Sequence, residues 1–363
     1  MAKRIIISGG GTGGHIYPAI AIANQLKAID PATEILFVGA AGKMEAEKVP
    51  KAGYAIELLP IVGIKRELSL ANLAFPFKLV RSLLKARSII KNFKPDAAVG
   101  VGGFASGPLL MVASLMGVPT LIQEQNSYAG ITNKLLAKRA KAICVAYPKM
   151  EAFFPKSKIK LTGNPVRKDI LDVTHKHPQA CVHFGLNPNL KTLLIIGGSL
   201  GAKTINESID AGLKTLIDSG YQVIWQTGKP YAEKAKKAVE SLQSSQIYTA
   251  EFIYEMDLAY AAANVVVSRA GALSVSELCL VAKPCILVPF PFASEDHQTK
   301  NAMSLVTQNA ALLVKDANAK EELIQTALHL LSNPQKQQEL KTNIQQLAKP
   351  NAAQEIAEAV LSL

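Results

Sequence analysis

The chain of 363 residues has one tryptophan and four cysteines, and no two cysteines stand at CxxC spacing. Cys144, Cys181, Cys279 and Cys285 therefore suit a reducing cytosol and not a disulfide framework. Long apolar runs are missing as well. The longest, Pro108 to Pro119, is about half of what a bilayer-spanning helix needs. Met1-Ala2-Lys3-Arg4 leads straight into Ile5-Ile6-Ile7, which glycines stop, so no secretory signal is expected. No Asp-x-Asp metal motif occurs. His175, His177, Cys181 and His183 cluster in a polar, proline-containing stretch without a second ligand pair at zinc-like spacing, so no metal site is assigned. Acid is scarce: 28 Asp and Glu face 40 Lys and Arg, a net charge of +12. That excess implies an anionic partner, whether nucleic acid, a membrane surface or a phosphorylated substrate. With no zinc-finger spacing, no RNP-like aromatic run and no uninterrupted basic arm, no nucleic acid is expected.

What is present is globular: 49% hydrophobic and 19% charged residues, in a chain long enough for two domains. It is organised around Ser268-Arg269-Ala270-Gly271-Ala272-Leu273-Ser274-Val275-Ser276-Glu277. A buried-type strand runs into a tight small-residue turn and then a helix start. Unpaired N–H groups at such a positive helix end bind anions, typically phosphate. Glu277, about one turn into the helix, suits the vicinal hydroxyls of a ribose. The plain alternative is a capped helix with a capping box, Ser274-x-x-Glu277.

From the start, a strand over Arg4 to Ser8 precedes Gly9-Gly10-Gly11-Thr12-Gly13-Gly14-His15 and a helix expected from about Pro18 to Ala28. Gly9, Gly11 and Gly14 satisfy GxGxxG in strand–turn–helix context. The second strand, Glu34 to Val38, ends in Gly39-Ala40-Ala41, without the acid that would hold an NAD ribose. The loop is therefore expected to cradle a different phosphate. His15, beside a positive helix end, is expected to stay neutral, as a general base must. The segment Leu73 to Phe93 reads as an amphipathic helix, with Phe77, Val80, Leu84 and Ile90 apolar and Lys78, Arg81 and Lys85 in a basic stripe. Such a segment either docks on an anionic membrane or is a solvated helix face.

Strand Ala97 to Val101 leads to the glycine turn 102–108, strand Pro119 to Gln123 to a polar loop at 124–127, and strand Ala142 to Val145 follows. Thr162 to Arg167 reads as a hinge, after which the pattern restarts with strand Thr192 to Ile196 and the glycine turn 197–202. Alternating strands and helices predict an α/β protein of two Rossmann-like, doubly wound halves with a cleft between them. The expected domains are 1–164, 165–345 and a final helical segment, 346–363, packing back toward the first half.

Seven motifs carry a family resemblance. They are Gly-Gly-Thr-Gly-Gly-His at 10–15, Gly-Gly-Phe-Ala-Ser-Gly-Pro at 102–108, Glu-Gln-Asn at 124–126, Gly-Asn-Pro-Val-Arg at 163–167, Gly-Gly-Ser-Leu-Gly-Ala at 197–202, the 268–277 stretch and Glu-Asp-His-Gln-Thr-Lys-Asn-Ala at 295–302. In this order, nearly end to end, the chain resembles the inverting GT-B glycosyltransferases of family 28 that build the lipid-linked precursor of peptidoglycan. It departs at Leu200, where many members carry Gln, and at Ser274, where Thr is common.

The resemblance implies transfer of N-acetylglucosamine from UDP-N-acetylglucosamine (UDP-GlcNAc) to the C4 hydroxyl of the muramoyl sugar of undecaprenyl-diphospho-muramoylpentapeptide (lipid I). It implies no cofactor and no metal. Ser199 and Gly271, Ala272, Leu273 and Ser274 would meet the diphosphate, Glu277 the ribose and the Ile253 backbone the uracil. Gln298 would hold sugar hydroxyls and Arg269 would support the turn. Thr12, Gly13, Gly14, Asn126 and Arg167 would reach the donor sugar or the reacting region. His15 is the candidate base, with Glu277 and Asn126 as further candidate catalytic residues. The implied setting is peripheral, on the anionic cytoplasmic face of the inner membrane, with other cell-wall synthesis proteins as partners. Two rivals remain: a GT-B transferase with another lipid acceptor, and a non-catalytic UDP-sugar-binding subunit.

Overall fold

A computed structural model describes residues 2–61, 75–198 and 200–363. The chain divides into two compact units: Met1–Arg167 with Pro350–Leu363, and Lys168–Lys349.

The first unit comprises β1 (Arg4–Gly9), α1 (Gly13–Ile29), β2 (Glu34–Ala40), α2 (Glu45–Lys51), β3 (Ala55–Leu59), α3 (Phe75–Phe93), β4 (Ala97–Gly102), α4 (Ser106–Leu115), β5 (Thr120–Glu124), α5 (Ile131–Leu136), β6 (Ala142–Val145) and β7 (Ile159–Leu161). These strands form a seven-stranded parallel sheet in the order β3-β2-β1-β4-β5-β6-β7. Ile5, Ile6 and Ile7 of β1 and Ala98 and Val99 of β4 are all fully buried, as strands covered on both faces require. Strand order reverses between β1 and β4, and loops at such a switch point are where doubly wound sheets place ligands.

The second unit comprises α6 (His177–Phe184), β8 (Thr192–Ile196), α7 (Lys203–Asp218), β9 (Gln222–Gln226), α8 (Ala232–Leu242), β10 (Ile247–Ala250), α9 (Met256–Ala262), β11 (Val265–Ser268), α10 (Ala272–Val281), β12 (Cys285–Leu287), α11 (His297–Val306), β13 (Leu312–Leu313), α12 (Ala319–Ser332) and α13 (Pro334–Gln345). Its parallel sheet runs β10-β9-β8-β11-β12-β13, with the reversal between β8 and β11. The final helix, α14 (Ala352–Leu361), belongs to the first unit: Ile356, Ala357, Ala359 and Val360 share a core with Ile5, Ile7, Ile16 and Val99.

Two local expectations change. Helix α1 starts at Gly13, not near Pro18, because the Thr12 carbonyl already accepts from the N–H groups of His15 (3.1 Å) and Ile16 (3.2 Å). His15 therefore lies inside the first turn, and Pro18 sits within the helix. On α3 the inward face is Ser82, Ala86, Ile89 and Ile90, with Leu79 and Leu83 packed against the core. Phe77, Val80 and Leu84 point the other way, 76%, 55% and 63% exposed. The part of the basic segment at 62–74 lies outside the described residues.

Candidate functional site

In the second unit, two turns leave adjacent strand ends at the switch point. Ile196 of β8 pairs with Ser268 of β11, so the 197–202 turn and the 269–274 turn start side by side. Helix α10 opens with Gly271 at its cap, no side-chain cap and no acid in its first turn. Ala272, Leu273 and Ser274 form that first turn, whose N–H groups have no acceptor within the helix. The capping-box alternative is not realised. Ser274 is past the cap, and the Glu277 carboxylate instead accepts a hydrogen bond from Tyr260 Oη (3.0 Å). Tyr260, on α9, is fully buried.

Arg269 is 8% exposed and turned inward. Its Nη1 donates to the carbonyls of Val288 (3.0 Å) and Pro289 (3.1 Å) and pairs with Asp316, whose other oxygen accepts from Thr204 Oγ1 (3.0 Å). The guanidinium thus ties the β11 turn to the β12 loop and, through Asp316, to the start of α7. Asn301, also fully buried, donates to the Ala270 carbonyl (3.3 Å). Gln298 Oε1 accepts from the Phe290 N–H (2.9 Å), so the carboxamide oxygen is taken by the chain itself. Ile253 is 1% exposed and its N–H donates to Gln226 Oε1 (3.0 Å). The Gln226 amino group donates to the Gly198 carbonyl (3.1 Å). One buried carboxamide therefore joins the glycine turn to the Ile253 loop. Ser199, within that turn, lies outside the described residues.

In the first unit, Thr12, Gly13, Gly14 and His15 follow β1, and Asn126 follows β5. The glycine loop is not the open phosphate cradle that GxGxxG suggests. Glu45, 1% exposed on α2, accepts from the N–H of Gly11 (2.8 Å) and of Ala40 (3.0 Å). The Gly11 N–H, at least, is thus satisfied by a carboxylate of the chain itself. His15 Nδ1 lies 3.1 Å from the Gly10 carbonyl and 3.4 Å from Thr12 Oγ1.

Asn126 is held by Glu124, another buried carboxylate, which accepts from the Asn126 N–H (3.1 Å), the Gly130 N–H (3.0 Å) and Asn133 Nδ2 (2.8 Å). Gln123 Nε2 donates to Asn164 (3.0 Å), whose own amide donates to the Gln125 carbonyl (3.0 Å). The Gly-Asn-Pro-Val-Arg motif thus reaches the β5 loop through Asn164. Arg167, partly buried, ends this unit.

Sequence reading missed Glu45, Gln226 and Tyr260, and it quoted Glu124 without giving it this role. Among the described residues, no three His, Cys, Asp or Glu side chains group as metal ligands, and at 175–183 only His177 and Cys181 approach, at 3.8 Å.

Residues 5–145 match the glycosyltransferase family 28 N-terminal domain, and residues 192–356 the family 28 C-terminal domain. The UDP-N-acetylglucosamine--N-acetylmuramyl-(pentapeptide) pyrophosphoryl-undecaprenol N-acetylglucosamine transferase of Cytophaga hutchinsonii is 58% identical, over 99% of this chain and 96% of its own. The same transferase of Phocaeicola vulgatus is 56% identical over the same shares. Among solved structures, MurG of Acinetobacter baumannii superposes with a TM-score of 0.81 at 31% identity, covering 99% of this chain and 100% of that one. The UDP-GlcNAc 2-epimerase of Neisseria meningitidis shares the fold, with a TM-score of 0.68 at 16% identity, covering 99% and 100%. Two parallel sheets with glycine turns at both switch points, and family domains over both halves, make this chain a member of glycosyltransferase family 28 with the GT-B fold.

Proposed function

We propose that this chain transfers N-acetylglucosamine from UDP-GlcNAc to the C4 hydroxyl of the N-acetylmuramyl sugar on pyrophosphoryl-undecaprenol, releasing UDP. The relatives' names state transfer of N-acetylglucosamine between UDP-N-acetylglucosamine and N-acetylmuramyl-(pentapeptide) pyrophosphoryl-undecaprenol, and their 58% and 56% identity over 99% of the chain carries the reading. The second unit, Lys168–Lys349, is assigned the donor. The diphosphate sits at the start of α10, where first-turn N–H groups and the helix dipole favour negative charge. Glu277 takes the ribose hydroxyls, the Ile253 carbonyl the uracil, and Gln298 a hydroxyl of the sugar. Arg269, bonded to main-chain carbonyls and Asp316, shapes the turn.

The first unit is assigned the acceptor. In a single displacement, the acceptor oxygen attacks the anomeric carbon, its proton passes to a base, and the electron pair of the breaking bond leaves on UDP. The helix end stabilises that leaving charge. His15 is assigned as the base. Asn126, an amide without useful basicity, positions the sugar. The acceptor's polyprenyl chain requires a membrane approach, and no helix among the described residues is long and apolar enough to cross one. Helix α3 is assigned to dock on an anionic cytoplasmic leaflet. Its exposed Phe77, Val80 and Leu84 enter the headgroup region while the basic stripe of Lys78, Arg81 and Lys85 faces lipid phosphates.

Incubating the protein with radiolabelled UDP-GlcNAc and a short-chain polyprenyl-diphosphate muramoylpentapeptide tests the proposal. Label extracted with the lipid, in a β(1→4) linkage, is the expected result. Label appearing only with a diacylglycerol acceptor would replace it with the other-acceptor reading.

A further inference from the structure

The Gly10 carbonyl and the Gly11 N–H belong to one peptide plane. On one side of that plane the Gly11 N–H donates to Glu45 Oε2 (2.8 Å); on the other the Gly10 carbonyl faces His15 Nδ1 (3.1 Å). A carbonyl oxygen can only accept, so this contact is a hydrogen bond only when Nδ1 carries the proton. Glu45 is fixed in turn by the Ala40 N–H (3.0 Å) and is 1% exposed. The Glu45 side chain lies where side chains on Gly10 and Gly39 would stand: a Cβ on Gly10 would collide with its carboxylate, and one on Gly39 with its Cγ. The sequence thus keeps two glycines beside one buried acid. The far edge of the ring runs past Gly102, where a Cβ would come within 2.8 Å of Nε2.

We propose that Glu45 is a positioning residue that acts on His15 through the Gly10–Gly11 peptide, holding the imidazole as its Nδ1–H tautomer with Nε2 as the basic nitrogen. Accepting a hydrogen bond from the peptide N–H polarises the amide, and its carbonyl becomes a stronger acceptor for Nδ1–H. The arrangement does through one peptide what a carboxylate bonded directly to imidazole does in a Ser-His-Asp triad. Thr12 Oγ1, 3.4 Å from Nδ1, and the Gly102 backbone also lie against the ring, and Glu45 is a charged group one peptide away. The consequence for turnover rests on His15 being the base. The tautomer itself does not.

The experiment is long-range ¹H–¹⁵N NMR of the six imidazoles in the full-length protein near neutral pH, with His15→Ala to assign the His15 signal. Neutral His15 in the wild type is expected as the Nδ1–H form. Glu45→Gln can offer an acceptor to only one of the two N–H groups, so a folded variant is expected to gain the Nε2–H form. Its kcat is expected to fall about tenfold with the donor KM within twofold, the low end of what loss of an outer-shell orienting partner costs. An Nε2–H His15 in the wild type overturns the proposal without recourse to any variant, as does an unchanged tautomer in folded Glu45→Gln. Acceptor-dependent turnover that survives His15→Ala removes the base reading and leaves the tautomer result to judge Glu45.

Discussion

Tyr260 shows how a residue outside every motif serves one inside it. Its hydroxyl fixes one oxygen of Glu277 (3.0 Å) from a fully buried position. In the proposed donor site this bond helps to orient the carboxylate toward the ribose. Tyr260→Phe is expected to weaken UDP binding by about 1 kcal/mol, roughly fivefold, with kcat little changed, by titration calorimetry and steady-state kinetics. Binding of 2′-deoxy-UDP, which offers Glu277 less, should weaken by a smaller factor. Equal losses for the two nucleotides would disconnect Tyr260 from ribose recognition. The contrast between Glu277 and Tyr260 shows what the sequence displays at this scale. Glu277 is legible because strand, turn and helix start are contiguous in the chain. Tyr260 lies 17 residues earlier and Glu45 lies 34 residues beyond Gly11. Glu45 comes in because β2, which precedes its helix, pairs with β1, and Tyr260 because α9 and α10 sit at either end of β11; no local pattern marks either.

Helix α3 carries the corresponding lesson for elements. Its amphipathic period is plain in the sequence, but a period does not say which apolar positions face inward. Leu79, Leu83, Ala86, Ile89 and Ile90 cover the sheet, so Phe77, Val80 and Leu84 are surplus to the core. Phe77→Ser with Leu84→Ser should therefore leave the melting temperature nearly unchanged and lower partition onto anionic vesicles. Burying each side chain in the interface contributes about 1.5–3 kcal/mol, so a drop of tenfold or more is expected in a flotation assay. The basic stripe should contribute less than its count suggests. Lys85 is paired with Glu57 at 3.4 Å, leaving Lys78 and Arg81 as the stronger lipid contacts of that stripe. A fall in thermal stability with vesicle binding intact would return this face to a structural role. The start of α1 follows the same logic: Gly13 and Gly14 look like loop by composition, yet the Thr12 carbonyl draws them into the helix and His15 with them.

For the molecule as a whole, buried ionisable groups set the response to alkali. Burial raises the thiols of Cys144 and Cys279 to about 12 and pushes Cys285 higher, while it lowers the Lys283 amine to about 8. Above pH 9 the unfolded chain loses three thiol protons that the folded chain keeps. Over the same window the unfolded chain retains the Lys283 proton that the folded chain has lost. The folded state then binds about two more protons, so stability should fall by about 3 kcal/mol per pH unit between pH 9 and 10. Denaturant midpoints across that range measure it. Cys144→Ala with Cys279→Ala, leaving Cys285 as the one strongly raised thiol against one amine, should flatten most of the curve.

The two-unit organisation itself was readable from glycine turns repeating after buried strands. The pairing that sets both switch points was not, because strand order is decided by long-range contacts that periodicity does not encode. The measurement that bears most directly on function is UDP release from UDP-GlcNAc by the wild-type protein, with and without a polyprenyl-diphosphate muramoylpentapeptide. Release that depends on the acceptor and stays stoichiometric with lipid-linked N-acetylglucosamine is the predicted result. Tight UDP binding with no acceptor-dependent release would contradict it, and would make the chain a nucleotide-sugar-binding protein and not a transferase.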